Sequence, residues 1–358
     1  MKLALNGRFL AQRTTGVQRH ARELVRALDR RLDQDDRIEA TLYAPPDATL
    51  DLALRRIRVR RVGWTRGHAW EQLELPLHAR GQLLLNLGNT GPVLMRRQFV
   101  TIHDASVFAV PESYSTSFSR YYRLLLPFLG KRALRVLTVS EFSRNELVRW
   151  MGIAREKIRV TPGGHEHILA PSADRHVLSR HGLGSRPYVL AVGSLSRHKN
   201  LDAAAAAMRL LGRHEWDYVL AGPVNQRIFG SAASGPSDLV VHLGYVSEAE
   251  LRALYEQASC FVYPSRYEGF GLPPLEAMAC GCPVVVSRAA SLPEVCGDAA
   301  LYADADEPQQ LAAAIRRVMC EEGVAQGLRQ KGRERAREWS WNASADKTLA
   351  AVREVMGP

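Results

Sequence analysis

Short apolar runs alternate with amphipathic segments along the first half of the chain. Residues 17–32 repeat apolar side chains at helical spacing with Arg, Glu and Asp between them, which predicts an amphipathic helix. Thr15 and Gln18 form a capping-box pattern at its start. The strand-like runs are residues 2–5, 57–59, 83–85, 99–102 and 136–139. Strands that alternate with helices indicate a parallel sheet covered by helices.

The pattern breaks at residues 161–173, which hold two Pro and two Gly without periodicity, and then restarts. The second half has strand-like runs at 188–192, 218–221, 240–243, 260–263 and 283–286 and helical segments at 201–211, 248–257, 308–319 and 342–355. It is predicted to be a six-stranded doubly wound domain, whose ligands bind at the carboxyl ends of the strands. A length of 358 residues suits two α/β domains, and we place the division at 168/169.

Composition narrows the class of protein. Apolar residues make up 46% and charged residues 24%, as in a soluble globular protein. The net charge of +11 attracts nucleic acid, anionic lipid or phosphorylated substrates, although a solvated basic surface without a partner has the same composition. The chain shows neither a secretory signal nor an apolar run long enough to span a membrane. We therefore predict a cytoplasmic protein, with contact at a membrane surface left open.

The five cysteines predict neither a disulfide framework nor a zinc site. A chain of this length does not depend on disulfides for its core. Cys280 and Cys282 lack a second pair at zinc spacing and have no pair of histidines nearby. We interpret them as small core residues.

Residues 265–281, S-R-Y-E-G-F-G-L-P-P-L-E-A-M-A-C-G, follow a predicted strand and carry the strongest chemical signal. Pro274 suits the first position of a helix, which would put Glu276 in the first helical turn and Glu268 in the preceding loop. Free N–H groups at a helix N-terminus favour anionic ligands. A Glu in a first turn also stabilises the helix itself, so Glu276 alone could be a cap.

Glu268 and Glu276, set in E-G-F-G-L-P-P-L-E-A-M-A-C-G-C-P-V-V, resemble the signature of glycosyltransferase family 4. The resemblance extends over nearly the whole chain. It implies retaining, metal-independent sugar transfer without a cofactor. It also implies the GT-B fold: two Rossmann-like, doubly wound parallel-sheet domains facing across a cleft that holds the active site. Domain 1 would then be residues 1–168, domain 2 residues 169–341, and the helix at 342–358 would cross back to domain 1.

The resemblance also implies donor-binding roles. Glu276 would bind the ribose hydroxyls of the donor, and Glu268 would contact hydroxyls of the transferred sugar. Backbone N–H groups of Phe270, Gly271 and Leu272 would line the sugar and the phosphates. These roles agree with the chemistry, since carboxylates accept hydrogen bonds from hydroxyls and N–H groups offset negative charge.

Residues 192–200, V-G-S-L-S-R-H-K-N, end another strand with a basic loop. Lys199 resembles the lysine of the family that binds the diphosphate. Many members carry Arg where Ser194 stands, and Arg197 is the candidate for the missing charge. No acidic metal cluster is apparent in the sequence, so Arg and Lys would stabilise the departing diphosphate. The alternative is a solvated basic loop.

The first half contributes two candidates. His103, in T-I-H-D, ends a buried strand, and its counterpart in the family lies beside the centre of sugar transfer. A lone His is more often structural. Gly16 opens the first helix, where close approach of the backbone to a donor phosphate is plausible, although a turn would also explain it.

Residues 114–135 mix aromatic and basic side chains. This composition suits contact with an anionic membrane, or a core-facing stripe with a solvated opposite face. The first domain of related enzymes receives the acceptor, which is often linked to a polyprenyl lipid, and this favours a location at the inner face of the cell membrane.

The sequence thus predicts transfer of a hexose, mannose or similar, from a nucleoside-diphosphate sugar to a glycan or lipid-linked acceptor in bacterial surface-polysaccharide synthesis. Residues 14–24 resemble bacterial members that act on mannose-type donors, which favours GDP-mannose. A covalent and a front-face mechanism both remain open. The alternatives are a same-fold nucleotide-sugar 2-epimerase, which needs no acceptor, and a nucleic-acid-binding protein, for which no reading motif is present.

Overall fold

The computed structural model describes residues 2–33, 36–194, 196–212, 216–222 and 240–355. They form two units: unit 1 runs to Gly163 and also contains the segment from Ser340 onward, and unit 2 is Gly164–Trp339. The predicted divisions at 168/169 and 341/342 are therefore a few residues late. The reason for the first is α7 (Glu166–Leu169), a short helix that packs against other helices of unit 2.

Unit 1 contains a seven-stranded sheet in the order β3-β2-β1-β4-β5-β6-β7, with all pairs parallel. The strands are β1 Lys2–Asn6, β2 Glu39–Ala44, β3 Arg58–Arg61, β4 Leu83–Asn86, β5 Gln98–Thr101, β6 Arg135–Thr138 and β7 Ile158–Val160. The order reverses between β1 and β4. Doubly wound sheets bind ligands at such a switch point, beyond the carboxyl ends of the strands.

Helices cover this sheet. Those of unit 1 are α1 Gly16–Leu32, α2 Gly67–Ala69, α3 Leu75–His78, α4 Ser106–Ala109, α5 Thr116–Arg132, α6 Glu141–Met151 and α15 Trp341–Glu354, with a π-helical turn at Trp70–Glu74 and 3₁₀ turns at Arg8–Ala11, Pro111–Ser113 and Arg155–Lys157. The predicted cap of α1 is present, since the Thr15 N–H donates to Gln18 Oε1 at 3.2 Å. α15 packs along α1, where Arg31 pairs with Asp346 at 2.7 Å.

Unit 2 contains a six-stranded parallel sheet in the order β10-β9-β8-β11-β12-β13, which has its switch point between β8 and β11. The strands are β8 Tyr188–Val192, β9 Asp217–Ala221, β10 Val240–Gly244, β11 Cys260–Tyr263, β12 Val284–Ser287 and β13 Ala300–Ala303. The remaining helices are α8 His176–Arg180, α9 Leu201–Leu211, α10 Glu248–Gln257, α11 Leu272–Ala279, α12 Leu292–Cys296, α13 Pro308–Cys320 and α14 Glu322–Arg337, with a 3₁₀ turn at Arg197–Lys199.

Close packing at the ends of β8 and β9 requires glycine. Gly222 has a φ of +140°, and a Cβ there would lie 2.1 Å from the Gly193 carbonyl oxygen. The two strand ends therefore approach each other backbone to backbone, which any side chain would prevent. All five cysteines are free thiols. Within the described ranges, no helix combines the length and the apolarity needed to cross a bilayer.

Candidate active site

The loops that follow β8 and β11 are joined at the switch point of unit 2. The Arg266 N–H donates to the His198 carbonyl at 2.8 Å. Asn200 adopts a left-handed conformation, with φ +54°, and its Nδ2 donates to the Pro264 carbonyl at 3.1 Å. These bonds place Lys199, at the end of the first loop, beside Glu268 of the second.

Lys199 and Glu268 form an ion pair with 2.7 Å between Nζ and Oε1, and Lys199 Nζ also donates to the Tyr263 hydroxyl at 2.8 Å. Both charged side chains are largely buried, at 19% and 11% exposure. Burial alone would lower the pKa of Lys199, but Glu268 and then Tyr263 raise it above its ordinary value. Burial alone would raise the pKa of Glu268, but Lys199 lowers it. Both groups are therefore charged at neutral pH.

Ser291 fixes the loop between Glu268 and α11. Its Oγ lies 2.9 Å from the Glu268 carbonyl oxygen and 2.8 Å from that of Phe270. In a trans peptide the next N–H points opposite to the carbonyl, so the Gly271 N–H is directed away from Ser291. Gly271 has a φ of +106°, and a Cβ there would lie 2.9 Å from a methyl group of Leu292. Only glycine fits this conformation without strain.

The predicted start of the helix after this loop is wrong. α11 begins at Leu272, so the two prolines occupy its second and third positions, and Pro274 is not the first residue. The first N–H groups of a helix have no acceptor within it, so proline at these positions loses no hydrogen bond. Glu276 is consequently the fifth residue of α11, beyond the first turn, and an N-terminal cap does not explain it.

Glu276 is buried, with 4% of the residue exposed. His167 Nε2 lies 2.8 Å from its Oε1, and the Tyr255 hydroxyl donates to its Oε2 at 3.1 Å. Neither partner was predicted from the sequence, because His167 lies in the aperiodic break and Tyr255 is one of the apolar-face residues of α10. Glu268 thus faces a lysine, whereas Glu276 is held by a histidine and a tyrosine.

Arg197 lies in the same 3₁₀ turn as Lys199 and is exposed. Ser194 precedes the turn, and its hydroxyl lies 3.0 Å from that of Ser196. Leu195 lies outside the described residues. The turn after β8 thus carries a second basic residue besides Lys199, and the role of Arg197 as a compensating charge stays a prediction.

His103 follows β5 in unit 1 and is buried. The His103 backbone N–H donates to Asn89 Oδ1 at 2.9 Å, and the ring Nε2 lies 3.2 Å from the Leu87 carbonyl oxygen. A carbonyl can only accept, so this contact assigns the proton of the neutral ring to Nε2 and leaves a lone pair on Nδ1. Burial lowers the pKa of His103, which keeps the ring neutral at pH 7.

Gly16 is the first residue of α1, as predicted, and is exposed. A Cβ placed there meets no described atom within 4 Å. One turn further along α1, the ring of His20 packs edge-on against that of His103, with 4.8 Å between centroids. The N-terminus of α1 and the end of β5 are therefore neighbours in unit 1. In the part of the chain described, no three His, Cys, Asp or Glu side chains are grouped as metal ligands.

Two family models match the chain and together cover most of it. Residues 14–167 match "Glycosyltransferase Family 4", and residues 179–339 match "Glycosyl transferases group 1". O-antigen chain mannosyltransferase B of Escherichia coli is 33% identical over 73% of this chain and 71% of its own length. O-antigen chain mannosyltransferase RfbU of Salmonella typhimurium is 29% identical over 73% and 72%.

Solved structures share the fold. Sucrose-phosphate synthase from Thermosynechococcus elongatus has a TM-score of 0.76 at 21% identity and covers 99% of this chain and 98% of its own. Anabaena Alr3699/HepE, in complex with UDP and glucose, has a TM-score of 0.74 at 16% identity and covers 98% of each chain. The parallel sheets, the switch-point residues and these matches agree: the chain belongs to the family 4, group 1 glycosyltransferases and is a glycosyltransferase with the two Rossmann-like domains of the GT-B fold.

Proposed function

We propose that this glycosyltransferase moves mannose, with retention, from GDP-mannose to a glycan or polyprenyl-linked acceptor during assembly of a bacterial surface polysaccharide. The Lys199–Glu268 pair at the switch point carries the proposal, because it joins a phosphate-binding cation to a carboxylate that accepts from sugar hydroxyls. The mannosyltransferase relatives support the choice of sugar. One further relative, a phosphatidylinositol monomannoside mannosyltransferase of Mycolicibacterium smegmatis, is named as GDP-mannose-dependent; it is 28% identical over 61% of this chain and 62% of its own length.

Donor binding is assigned to unit 2. Glu276 accepts hydrogen bonds from the ribose hydroxyls, and Glu268 accepts from hydroxyls of the transferred sugar. The N–H groups of Phe270, Gly271 and Leu272, at the start of α11, face the sugar and phosphates. A helix N-terminus suits this role because its N–H groups lack acceptors within the helix and its dipole favours negative charge.

Lys199 and Arg197 stabilise the departing diphosphate without a metal ion or other cofactor. The ion pair with Lys199 weakens Glu268 as a nucleophile, because its charge is already shared with the ammonium group at 2.7 Å. This favours a front-face transfer, in which the leaving phosphate oxygen accepts the proton of the acceptor hydroxyl as the new glycosidic bond forms.

Unit 1 contributes His103 and Gly16. The Nδ1 lone pair of His103 accepts a hydrogen bond from a sugar hydroxyl near the transfer centre, while the Leu87 carbonyl fixes the tautomer. The exposed N-terminus of α1 at Gly16 offers backbone N–H groups to a donor phosphate.

A screen of donors is the direct test. GDP-mannose at about a hundred times its Kd is expected to raise Tm by about 5 °C or more, because binding at that ratio contributes about 2.7 kcal/mol to stability. UDP-glucose and UDP-galactose should shift Tm less. Incubation with GDP-mannose alone should leave the sugar unchanged. A 2-epimer formed without acceptor would indicate the epimerase, and no shift with any nucleotide sugar would contradict the donor assignment.

For access to a lipid-linked acceptor, we propose that unit 1 contacts an anionic membrane at its cytoplasmic face. On α5, Tyr121, Leu124 and Phe128 share one face and are 46%, 78% and 51% exposed, whereas Leu126 and Leu129 on the opposite face are buried. The segment therefore has both a core-facing stripe and an exposed apolar stripe. α5 contains no acidic residue and four basic ones: Arg120, Arg123, Lys131 and Arg132.

A neighbouring segment extends this surface at Leu94, which is 78% exposed. The Arg132 guanidinium lies 3.5 Å from the Leu94 carbonyl oxygen, which places Leu94 next to α5. Exposed apolar side chains with cations and no acidic groups on the same helix are complementary to a bilayer that contains anionic lipid.

Flotation with liposomes tests the membrane contact. The protein is expected to float with vesicles of phosphatidylcholine and phosphatidylglycerol at low salt and less at high salt, because screening weakens the charge term. Combined substitution Leu124→Ser and Phe128→Ser should lower the bound fraction about tenfold or more, since each apolar side chain contributes at least ~1 kcal/mol when inserted. Leu210→Ser, at a leucine of unit 2 that is 53% exposed, is the control. No binding at low salt would contradict the contact.

A further inference from the structure

The carboxylate of Glu276 is held by side chains from two other helices. His167, on α7, reaches one oxygen and Tyr255, on α10, reaches the other, at 2.8 and 3.1 Å. The side chains of His167 and Glu276 are 1% and 5% exposed. A buried carboxylate costs several kcal/mol unless donors compensate it, and these two supply that compensation.

Two donors on separate oxygens also fix the plane of the carboxylate. The last torsion of a glutamate side chain is broad, so an unheld carboxylate would rotate. A carboxylate has about four acceptor positions, more than these two hydrogen bonds occupy. The direction of these positions is set before any ligand arrives.

The protonation of both partners suits this role. Burial, followed by the negative charge of Glu276, raises the pKa of Tyr255 well above its ordinary value, so its hydroxyl stays a donor. His167 presents Nε2 to an acceptor-only carboxylate, which requires the proton on that nitrogen whether the ring is neutral or charged.

Stability alone does not account for such a trio. Replacing a buried charged or polar cluster by well-packed apolar side chains is often neutral or stabilising. Preorganised acceptors are what a site needs to read hydroxyl groups, because a carboxylate that must first be oriented loses affinity in the process.

We infer that His167 and Tyr255 are positioning residues that preset the Glu276 carboxylate for the vicinal hydroxyls of the nucleotide ribose. Discrimination between ribose and dideoxyribose nucleotides then depends on a histidine that acts through Glu276. The inference rests on the proposed role of Glu276 in donor binding and adds the residues that enforce it.

Calorimetric titration of the full chain tests the inference. The affinities for GDP and UDP are each compared with that for the 2′,3′-dideoxy counterpart, so the test does not depend on which base the enzyme prefers. The wild type should prefer the ribose form by about ten- to a hundredfold, as expected for hydrogen bonds to a charged group. His167→Ala should bring the ratio to within about threefold of unity. His167→Gln, which keeps an N–H donor in reach of Glu276, should retain most of it. His176→Gln, at an exposed histidine of α8, is the matched control and should bind as the wild type does.

Steady-state kinetics separate positioning from catalysis and from folding. His167→Ala should raise the donor KM and leave kcat at saturating donor within about threefold. Adding Glu276→Ala to His167→Ala should not lower the ribose preference further, because both substitutions act on one carboxylate. If His167→Ala does not fold, Tyr255→Phe, which removes the second donor, must reduce the ribose preference for the inference to stand.

The outcomes distinguish the donor-binding role of Glu276 from the positioning roles of His167 and Tyr255. If Glu276→Ala keeps the wild-type ribose preference, the donor-binding role of Glu276 fails and the inference fails with it. If Glu276→Ala loses the preference while folded His167→Ala and Tyr255→Phe keep it, only the positioning role is overturned. A lower Tm in His167→Ala with an unchanged ribose ratio would likewise show a purely structural residue.

Discussion

Replacing Lys199 by alanine is expected to lower kcat by about 10²–10³-fold, with a much smaller rise in donor KM. Charge grows on the leaving diphosphate as the glycosidic bond breaks, and a fixed cation stabilises that state more than the ground state. An ammonium group has three N–H donors. Glu268 and Tyr263 take two of them, at 2.7 and 2.8 Å, and the third is available to a phosphate oxygen. Steady-state kinetics with saturating acceptor measures the effect.

Lys331 provides the control for this substitution. It also pairs with a carboxylate, Asp298, at 2.8 Å, but both side chains are mostly exposed. An exposed pair contributes little to stability or to a remote reaction, so Lys331→Ala should leave kcat within about twofold. Circular dichroism must show that Lys199→Ala is folded, since it leaves Glu268 without its cation. Equal, small effects of the two substitutions would contradict the assignment of Lys199.

The fold could be predicted from the sequence where strands are apolar and bounded by turns. The runs at 99–102 and 136–139 coincide with β5 and β6 to within one residue. β7, Ile158–Val160, was not predicted because it has only three residues with an arginine at its centre. β13, Ala300–Ala303, was not located from the sequence because it lacks β-branched side chains. Both strands form because a neighbouring strand supplies their hydrogen-bond partners, and this is information that local sequence does not contain.

The candidate site, too, could be predicted from the sequence only in part. The sequence places Lys199 and Glu268 at the ends of two parallel strands, which makes their proximity predictable, although not their ion pair. The contact between His167 and Glu276 spans 109 residues and depends on where two helices pack. The start of α11 at Leu272 was missed because a Pro-Pro pair is compatible with two different helix starts.

Glu268 is expected to matter for both turnover and stability, and different substitutions separate the two. Glu268→Ala should lower kcat/KM by about 10²-fold or more, because it removes an acceptor for sugar hydroxyls and releases Lys199 from its position. It should also destabilise unit 2 by about 3–5 kcal/mol, since it leaves a largely buried ammonium group unpaired. Glu268→Gln keeps the shape and one acceptor oxygen, so its loss of stability should be smaller. Chemical denaturation measures the second effect.

The double variant Lys199→Met with Glu268→Gln decides whether catalysis or folding explains the loss of activity. Removing both charges eliminates the unpaired buried ion, so stability should recover toward the wild type relative to Glu268→Ala. Turnover should stay as low as in Lys199→Ala, because the largely buried cation beside residue 268 is gone, whereas Arg197 in the same turn is exposed. If turnover recovered together with stability, the pair would be a structural ion pair, and the catalytic charge would have to be sought elsewhere in the chain.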